Sequence, residues 1–267
     1  MKNRILLIAL VTVWPSLMEA QKGIIKNWSY DPDKVLNPNT NWLREAKWGL
    51  FAHYYGGGSG DQWNAKVNSF KVKEFASQLS ELNVPYLFIT LGTTHSFCAP
   101  NETYENLFNP DRGRPTERDL IADLAAELTP RGIKLGLYMH GVGRGESPEV
   151  QEKWQKVILE WSERYGESVS AWWIDAATYE SPEAFEGFTA AFKSGNPDAI
   201  VSYNVGPVGI NRRQLAPVTE HEDFLAGECD YFLPTSGYIP GGLVERKIFS
   251  NFQETDYYQG PNIAGDQ

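Results

Sequence analysis

Residues 171–175 read Ala171-Trp172-Trp173-Ile174-Asp175, an unbroken apolar run that stops on a carboxylate, and residues 86–90 read Tyr86-Leu87-Phe88-Ile89-Thr90 in the same manner. A strand with one wet face alternates polar and apolar residues. A strand buried on both faces does not, and such strands belong to parallel sheets covered by helices. Strands are expected at Gly49–His53, Pro85–Leu91, Ile133–Met139, Val169–Asp175 and Ala199–Asn204, with two more at Val218–Glu222 and Asp230–Leu233. Between them, Val72–Leu82, Arg118–Arg131, Pro148–Tyr165 and Pro182–Ser194 carry apolar residues three and four apart, the period of a helix, and Gly132 and Gly195 are placed as stops. At least five β-α units in succession predict an α/β chain built as a (β/α)8 TIM-like barrel.

A doubly wound open sheet is the competing architecture, but its phosphate-binding glycine fingerprint is missing after the first strand. Gly56-Gly57-Gly58-Ser59-Gly60 has no Lys-Ser/Thr pair and no helix onset behind it, so it reads as a flexible loop at the barrel mouth. Beyond Leu233 only Gly242–Phe252 has a helical period before a polar tail. The barrel is therefore expected to be irregular or incomplete at its C-terminal end.

The chain has 267 residues, 42% of them hydrophobic, enough to bury a single large core. Acidic residues outnumber basic ones 34 to 24 and no basic stripe occurs, which makes nucleic acid and anionic membrane surfaces poor partners. Lys2 and Arg4 precede an apolar run from Ile5 to Trp14 and a short stretch ending at Ala20, the order of a secretory signal and too short for a membrane span. Residues 1–20 are accordingly expected to be a signal peptide and residues 21–267 the barrel domain of a secreted or periplasmic protein. Cys98 and Cys229 read as free and buried, and the sequons at Asn27 and Asn101 as incidental.

Active sites of (β/α)8 barrels lie at the C-terminal ends of the strands, so polar residues that end apolar runs are the candidates. They are His53, then Thr93, Thr94 and His95, then His140, Asp175 and Asn204, and last the stretch from Glu220 to Glu228. Asp175 fits a nucleophile fixed at the rim of a core, or the N-cap of the helix opening at Pro182. His53 fits a ligand contact or a core histidine, and Glu228 an acid or a solvated surface carboxylate. Tyr54, Tyr55, Trp63, Trp172 and Phe224 could stack on a sugar ring or simply pack. The histidines and Asp175 invite a metal reading, yet no His-x-His, His-Glu-x-x-His or paired-Cys spacing supports it. Two carboxylates flanking a pocket suit glycoside hydrolysis, in which one attacks and the other protonates the leaving oxygen.

Three motifs in order carry a family resemblance. The run Trp42-Leu43-Arg44-Glu45-Ala46-Lys47-Trp48-Gly49-Leu50-Phe51-Ala52-His53 resembles the opening strand of the α-L-fucosidases of glycoside hydrolase family 29. Arg118-Asp119-Leu120 through Arg131-Gly132-Ile133-Lys134-Leu135-Gly136-Leu137-Tyr138 resembles the third helix-strand unit, and Trp173-Ile174-Asp175 the fourth-strand motif. The resemblance implies an irregular (β/α)8 barrel, a carbohydrate substrate, no cofactor and no metal, and retaining removal of terminal α-L-fucose. It places the nucleophile on Asp175, a sugar-binding histidine on His53 and the acid/base on Glu228, with Glu220 and Glu222 in reserve. Thr93, Thr94, His95, His140, Trp63, Trp173 and Asn204 complete the expected substrate contacts.

Departures from the family pattern bear on the sugar. The second-strand His-His pair of the family falls on Thr93-Thr94, with His95 next to it, and the arginine after the fifth strand falls on Asn204. The leading expectation is a secreted retaining exo-glycosidase for a terminal α-L-fucosyl or related residue. A catalytically silent glycan-binding barrel is the second, and the intact carboxylates favour the first.

Overall fold

The computed structural model describes residues 37–55, 60–93, 96–108, 114–177, 179, 181–204 and 219–224. Strands β1 (Leu50–Ala52), β2 (Tyr86–Gly92), β3 (Lys134–His140), β4 (Val169–Asp175) and β5 (Ile200–Asn204) form one sheet in the order β1-β2-β3-β4-β5, every neighbouring pair parallel. A doubly wound sheet reverses its strand order at a switch point. The five described strands do not, which is the progression of a barrel wall. The five matching expectations hold to within two residues at each end.

Helices α1 (Asn41–Ala46), α2 (Gly60–Ser69), α3 (Val72–Glu81), α4 (Glu102–Leu107), α5 (Leu120–Leu128), α6 (Pro148–Tyr165) and α7 (Pro182–Lys193) connect and cover the sheet. Four were legible from their apolar period, while α1, α2 and α4 were not. The expectation that no helix follows the glycine run is corrected by α2, which buries only Trp63 and Val67 of its ten residues and so shows almost no apolar stripe. Among the described residues no helix is long and apolar enough to cross a membrane.

Gly132 and Gly195 act through different physics. Gly132 ends the 3-10 turn Thr129–Arg131 at φ +70°, a left-handed conformation that favours glycine. Gly195 instead permits close approach, since a Cβ there would lie 1.8 Å from the Ser162 carbonyl oxygen on α6. Of the sequon at Asn101, the side chain is buried, accepts from the Tyr104 N–H as the cap of α4 and donates to the Val157 carbonyl. Cys98 is free and buried.

Alternation along each strand divides the core into two layers. Leu87, Ile89, Leu137, Trp172, Ile174 and Tyr203 face the helices and join Leu79, Leu124, Trp161 and Phe188. Phe51, Phe88, Tyr138 and Trp173 face the other way with Leu43 and Phe224. The Phe51 ring centres this inner layer, 4.8 Å from Trp173 and 5.3 Å from Tyr138. Gly136 leaves the space that the Phe88 ring fills, because a Cβ would sit 2.5 Å from it.

The expected strand Val218–Glu222 is corrected: its described residues, Thr219–Glu222, form a turn closed from Glu222 N to Thr219 O. The segment still meets β5, but mainly through carboxylates. Val201 N donates to Asp223 Oδ2 at 2.8 Å while Asp223 N donates to Val201 O at 2.8 Å, and Tyr203 N donates to Glu222 Oε1 at 3.0 Å. An exposed strand edge presents unpaired N–H groups that recruit other chains, and here acidic side chains occupy them. Asp223 is further tied to Lys193 Nζ at 2.6 Å and to Asn37 Nδ2 at 2.6 Å. The expected strand Asp230–Leu233 and helix Gly242–Phe252 lie outside the described residues, as do residues 1–20 and Cys229.

Asp223→Ala leaves the Val201 N–H and the Lys193 ammonium without their acceptor, so it is expected to lower the unfolding free energy in urea titration by about 2–3 kcal/mol. A change under about 0.5 kcal/mol, ordinary for an unconstrained surface position, would show that the β5 edge does not need the cap.

Candidate functional site

The same alternation that fills the inner layer decides what stands above it. Residues two further along each strand share a face, so Phe51 is followed by His53, Tyr138 by His140, Trp173 by Asp175 and Ser202 by Asn204. Parallel register then sets His140 opposite Asp175 and Asp175 opposite Asn204. His140, Asp175 and Asn204 thus end the adjacent strands β3, β4 and β5, and His53 follows β1 at the same end of the sheet.

Three donors hold the Asp175 carboxylate. Tyr138 Oη donates to Oδ2 at 2.5 Å, and Asn204 Nδ2 and the Ala176 N–H donate to Oδ1 at 2.9 and 2.8 Å. Ala176 has φ +55°, uncommon for a residue with a Cβ, and this bend accompanies the return of its N–H to the preceding side chain. The N-cap alternative for Asp175 is excluded, because Ser181 caps α7 by accepting from Ala184 N. Burial, reinforced by the adjacent Asp175 charge, pushes the Tyr138 hydroxyl far above the usual tyrosine range, so it remains a donor.

His53 stands beside this group. Its ring packs edge-on to Phe51 and Tyr138 and stacks on Tyr55 at 4.9 Å, and Nδ1 lies 2.6 Å from Tyr55 Oη. Burial lowers its pKa to about 4, the Asp175 charge opposing the shift and His140 adding to it. His53 is therefore neutral at physiological pH.

The remaining expectations divide. Trp173 is 5% exposed and forms the floor beneath Asp175 with Phe51. Trp63 is placed elsewhere: it lies in the helix-side layer at 4% exposure, packs on Tyr54 and donates its indole N–H to Phe97 O. That position corrects its reading as a sugar platform at the mouth. Tyr54, Trp172 and Phe224 are likewise core, while Tyr55 is 38% exposed. Thr93 follows β2, half-buried, with its N–H donating to Ser96 O. Glu222 is committed to the β5 edge, where it accepts from Tyr203 N and Ser202 Oγ, and Glu220 is exposed in the turn. Thr94, His95 and Glu228 lie outside the described residues. Among the described residues no group of three or more His, Cys, Asp or Glu side chains is arranged to hold a metal ion.

Tyr138 and Tyr55 are the residues that sequence reasoning passed over in part. Tyr138 belongs to an apolar run and reads as core, and its one signal is a position two before His140 on an inward face. Tyr55 was noted for stacking only, not for its hydroxyl.

No protein-family model matches the chain, and no curated protein matches it in sequence. Among solved structures it is similar to two endo-fucoidan hydrolases of glycoside hydrolase family 107. MfFcnA4 aligns at 15% identity and TM-score 0.54 over 74% of this chain and 37% of its own. MfFcnA9 aligns at 16% identity and TM-score 0.55 over 73% and 44%. An α-L-fucosidase of family 29 from Bacteroides thetaiotaomicron aligns at 17% identity and TM-score 0.48 over 66% and 49%. At these identities the likeness to the fucoidan hydrolases is one of fold, a TIM-barrel-like glycoside hydrolase architecture. The chain spans less than half the length of those two hydrolases.

His53 titrates near 6.5 in the unfolded chain and at about 4 in the folded one, so between those values the unfolded state binds more protons and stability rises with pH. The contribution is complete above about pH 6.5 and is lost as pH falls to about 4. The melting temperature of the wild type is expected to drop across that window, and that of His53→Gln to drop less. Parallel curves for the two proteins would show that His53 does not titrate with a depressed value.

Proposed function

We propose that this chain is a secreted or periplasmic retaining glycosidase that removes a terminal α-L-fucosyl or closely related residue from glycans, with Asp175 as nucleophile and Glu228 as acid/base. The observation that carries the reading is the Asp175 carboxylate itself, fixed by three donors at the C-terminal end of a strand of the parallel sheet, above an aromatic floor. Support also comes from the family 29 motifs and from the fold shared with hydrolases named for fucoidan.

Each site residue has a part in the chemistry. Oδ2 accepts one hydrogen bond and Oδ1 two, so Oδ2 keeps the freer lone pair for attack on the anomeric carbon. As the Oδ2–carbon bond forms, the glycosidic bond breaks and Glu228 gives its proton to the leaving oxygen. Glu228 then takes a proton from water, whose oxygen displaces Asp175 and releases the sugar. Tyr138 and Asn204 orient the carboxylate throughout. Neutral His53 lines the same mouth together with His140 as contacts for sugar hydroxyls, and Tyr55 offers an exposed ring face.

Asp175→Ala is expected to abolish turnover of every aryl glycoside that the wild type accepts, with the circular dichroism spectrum and cooperative melting retained, because a strand-end nucleophile contributes to chemistry more than to packing. Undiminished activity would end this mechanism. If no aryl glycoside is turned over while soluble glycans still bind, the silent glycan-binding barrel replaces the enzyme.

The departures at Thr93 and Asn204 bear on the choice of sugar. The Asn204 side chain is 2% exposed and donates to Asp175, so it does not take over the sugar contact of the arginine it replaces. Hydrogen bonds to charged groups contribute about 1.5–3 kcal/mol against about 1 for neutral ones. Aryl α-L-fucoside is therefore expected to be a slow substrate and a bulkier relative such as α-L-galactoside a better one. A kcat/KM for fucoside in the ordinary glycosidase range, above that for the relative, would reverse this order.

A further inference from the structure

The side of the site formed by His53 and Tyr55 stands on chain that has already left the sheet. β1 ends at Ala52, so His53, Tyr54 and Tyr55 run on past the last residue paired with β2. Two elements hold them. From β2, the Thr90 hydroxyl accepts from Tyr54 N at 3.1 Å. From α2, the half-buried Lys66 donates from Nζ to Tyr55 O at 3.1 Å, and its own carbonyl accepts from Tyr54 Oη at 3.2 Å. The Lys66 ammonium is itself fixed, 5.3 Å from the centre of the buried Tyr54 ring and 6.0 Å from that of Trp63. Arg118 anchors the far end of the helix, where Nη1 donates to the carbonyls of Val67, Asn68 and Phe70.

We propose that Lys66 is a positioning residue for sugar binding: by holding the Tyr55 carbonyl it keeps the Tyr55 ring stacked on His53, and it serves the bound sugar rather than the nucleophile. The sugar named here rests on the glycosidase reading; the tie from Lys66 through Tyr55 to His53 rests on the contacts alone. A ring that is 38% exposed lacks the packing that fixes a core side chain, so its backbone must be held if the stack on His53, at 4.9 Å and 20°, is to be a fixed wall. Lysine suits the task, since its ammonium carries three donors on a long stem and here reaches back 11 residues from the helix. The donors to Asp175 stand elsewhere, on β3, on β5 and at the end of β4. Loss of the Lys66 tie therefore disturbs the wall and leaves the carboxylate in place.

The test uses the full chain with Lys66→Met, which keeps an apolar stem against Tyr54 and Trp63 and removes the donor, and Lys66→Arg, which restores one. Against an aryl glycoside that the wild type turns over, Lys66→Met is expected to raise KM about three- to tenfold with kcat held within about twofold, and Lys66→Arg to return KM toward the wild-type value. Unchanged KM in folded Lys66→Met, or a loss carried by kcat instead, overturns the proposal. A second readout needs no turnover. His53 packs against Phe51, Tyr138 and Tyr55, the charge of Asp175 and the imidazole of His140 act on it, and burial lowers its pKa to about 4. In Lys66→Met it loses the cover of Tyr55, so its NMR titration, assigned by the signal missing in His53→Gln, is expected to move up toward 6.5. An unmoved His53 titration in folded Lys66→Met overturns the proposal. Lys66→Gln, shorter and neutral, is carried through both measurements, so the result does not hang on the folding of one variant. Wild type that hydrolyses no aryl glycoside, with the His53 titration still raised in Lys66→Met, removes the glycosidase reading and leaves the tie standing.

Discussion

The register of β4 between β3 and β5 is the constraint on which the candidate site depends. Pairing of Asp175 with His140 on one side and Asn204 on the other, over the paired Tyr138 and Trp173, sets these residues around the candidate nucleophile. Strand side chains alternate, so a slip of one residue would turn Asp175 and Trp173 toward the helices and Trp172 and Ile174 inward. The burial of Trp172 against Phe192 in one layer and of Trp173 against Phe51 in the other penalises that slip on both faces. Core packing and site geometry are thus one constraint.

Carboxylates in this acidic chain serve opposite ends. Asp175 is fixed by donors yet stays open to the mouth, whereas Glu222 and Asp223 occupy the N–H groups of β5. Position in the sequence does not separate these uses, since Glu222 stands in the stretch that resembles the acid/base segment of the family. What separates them is where the donors stand: on β5 for Glu222 and Asp223, and around the strand ends for Asp175. Glu222 Oε1 accepts from both Tyr203 N and Ser202 Oγ, which ties its side chain to the β5 edge.

The described strands were legible because strands covered on both faces need continuous apolar runs, and the longer helices because their stripes are regular. The short helices were not: α2 carries two buried side chains and α4 little more than Tyr104. Val218–Glu222 resembled a strand in composition, but its described part meets β5 through side-chain oxygens, a pairing that leaves no periodic trace. That Asp175, His53, His140 and Asn204 stand together at the strand ends was legible because each ends an apolar run. Tyr138 was missed because a hydroxyl on an aromatic ring leaves the surrounding pattern apolar. Trp63 was misread because a tryptophan behind a glycine loop looks alike whether its helix turns it outward or into the core.

The bond between Asn37 and Asp223 spans 186 positions of the chain and joins the segment before α1 to the edge of β5. Contacts this distant carry the loop-closure entropy of nearly everything between them and form late in folding. During synthesis at about 5–20 residues per second, roughly one to four seconds separate the emergence of Asn204 from that of Asp223. For that interval β5 has no acidic cap, and its backbone is open to any other nascent strand. Crowded production of this chain therefore has a specific hazard, pairing through the β5 edge, which ends when residue 223 arrives.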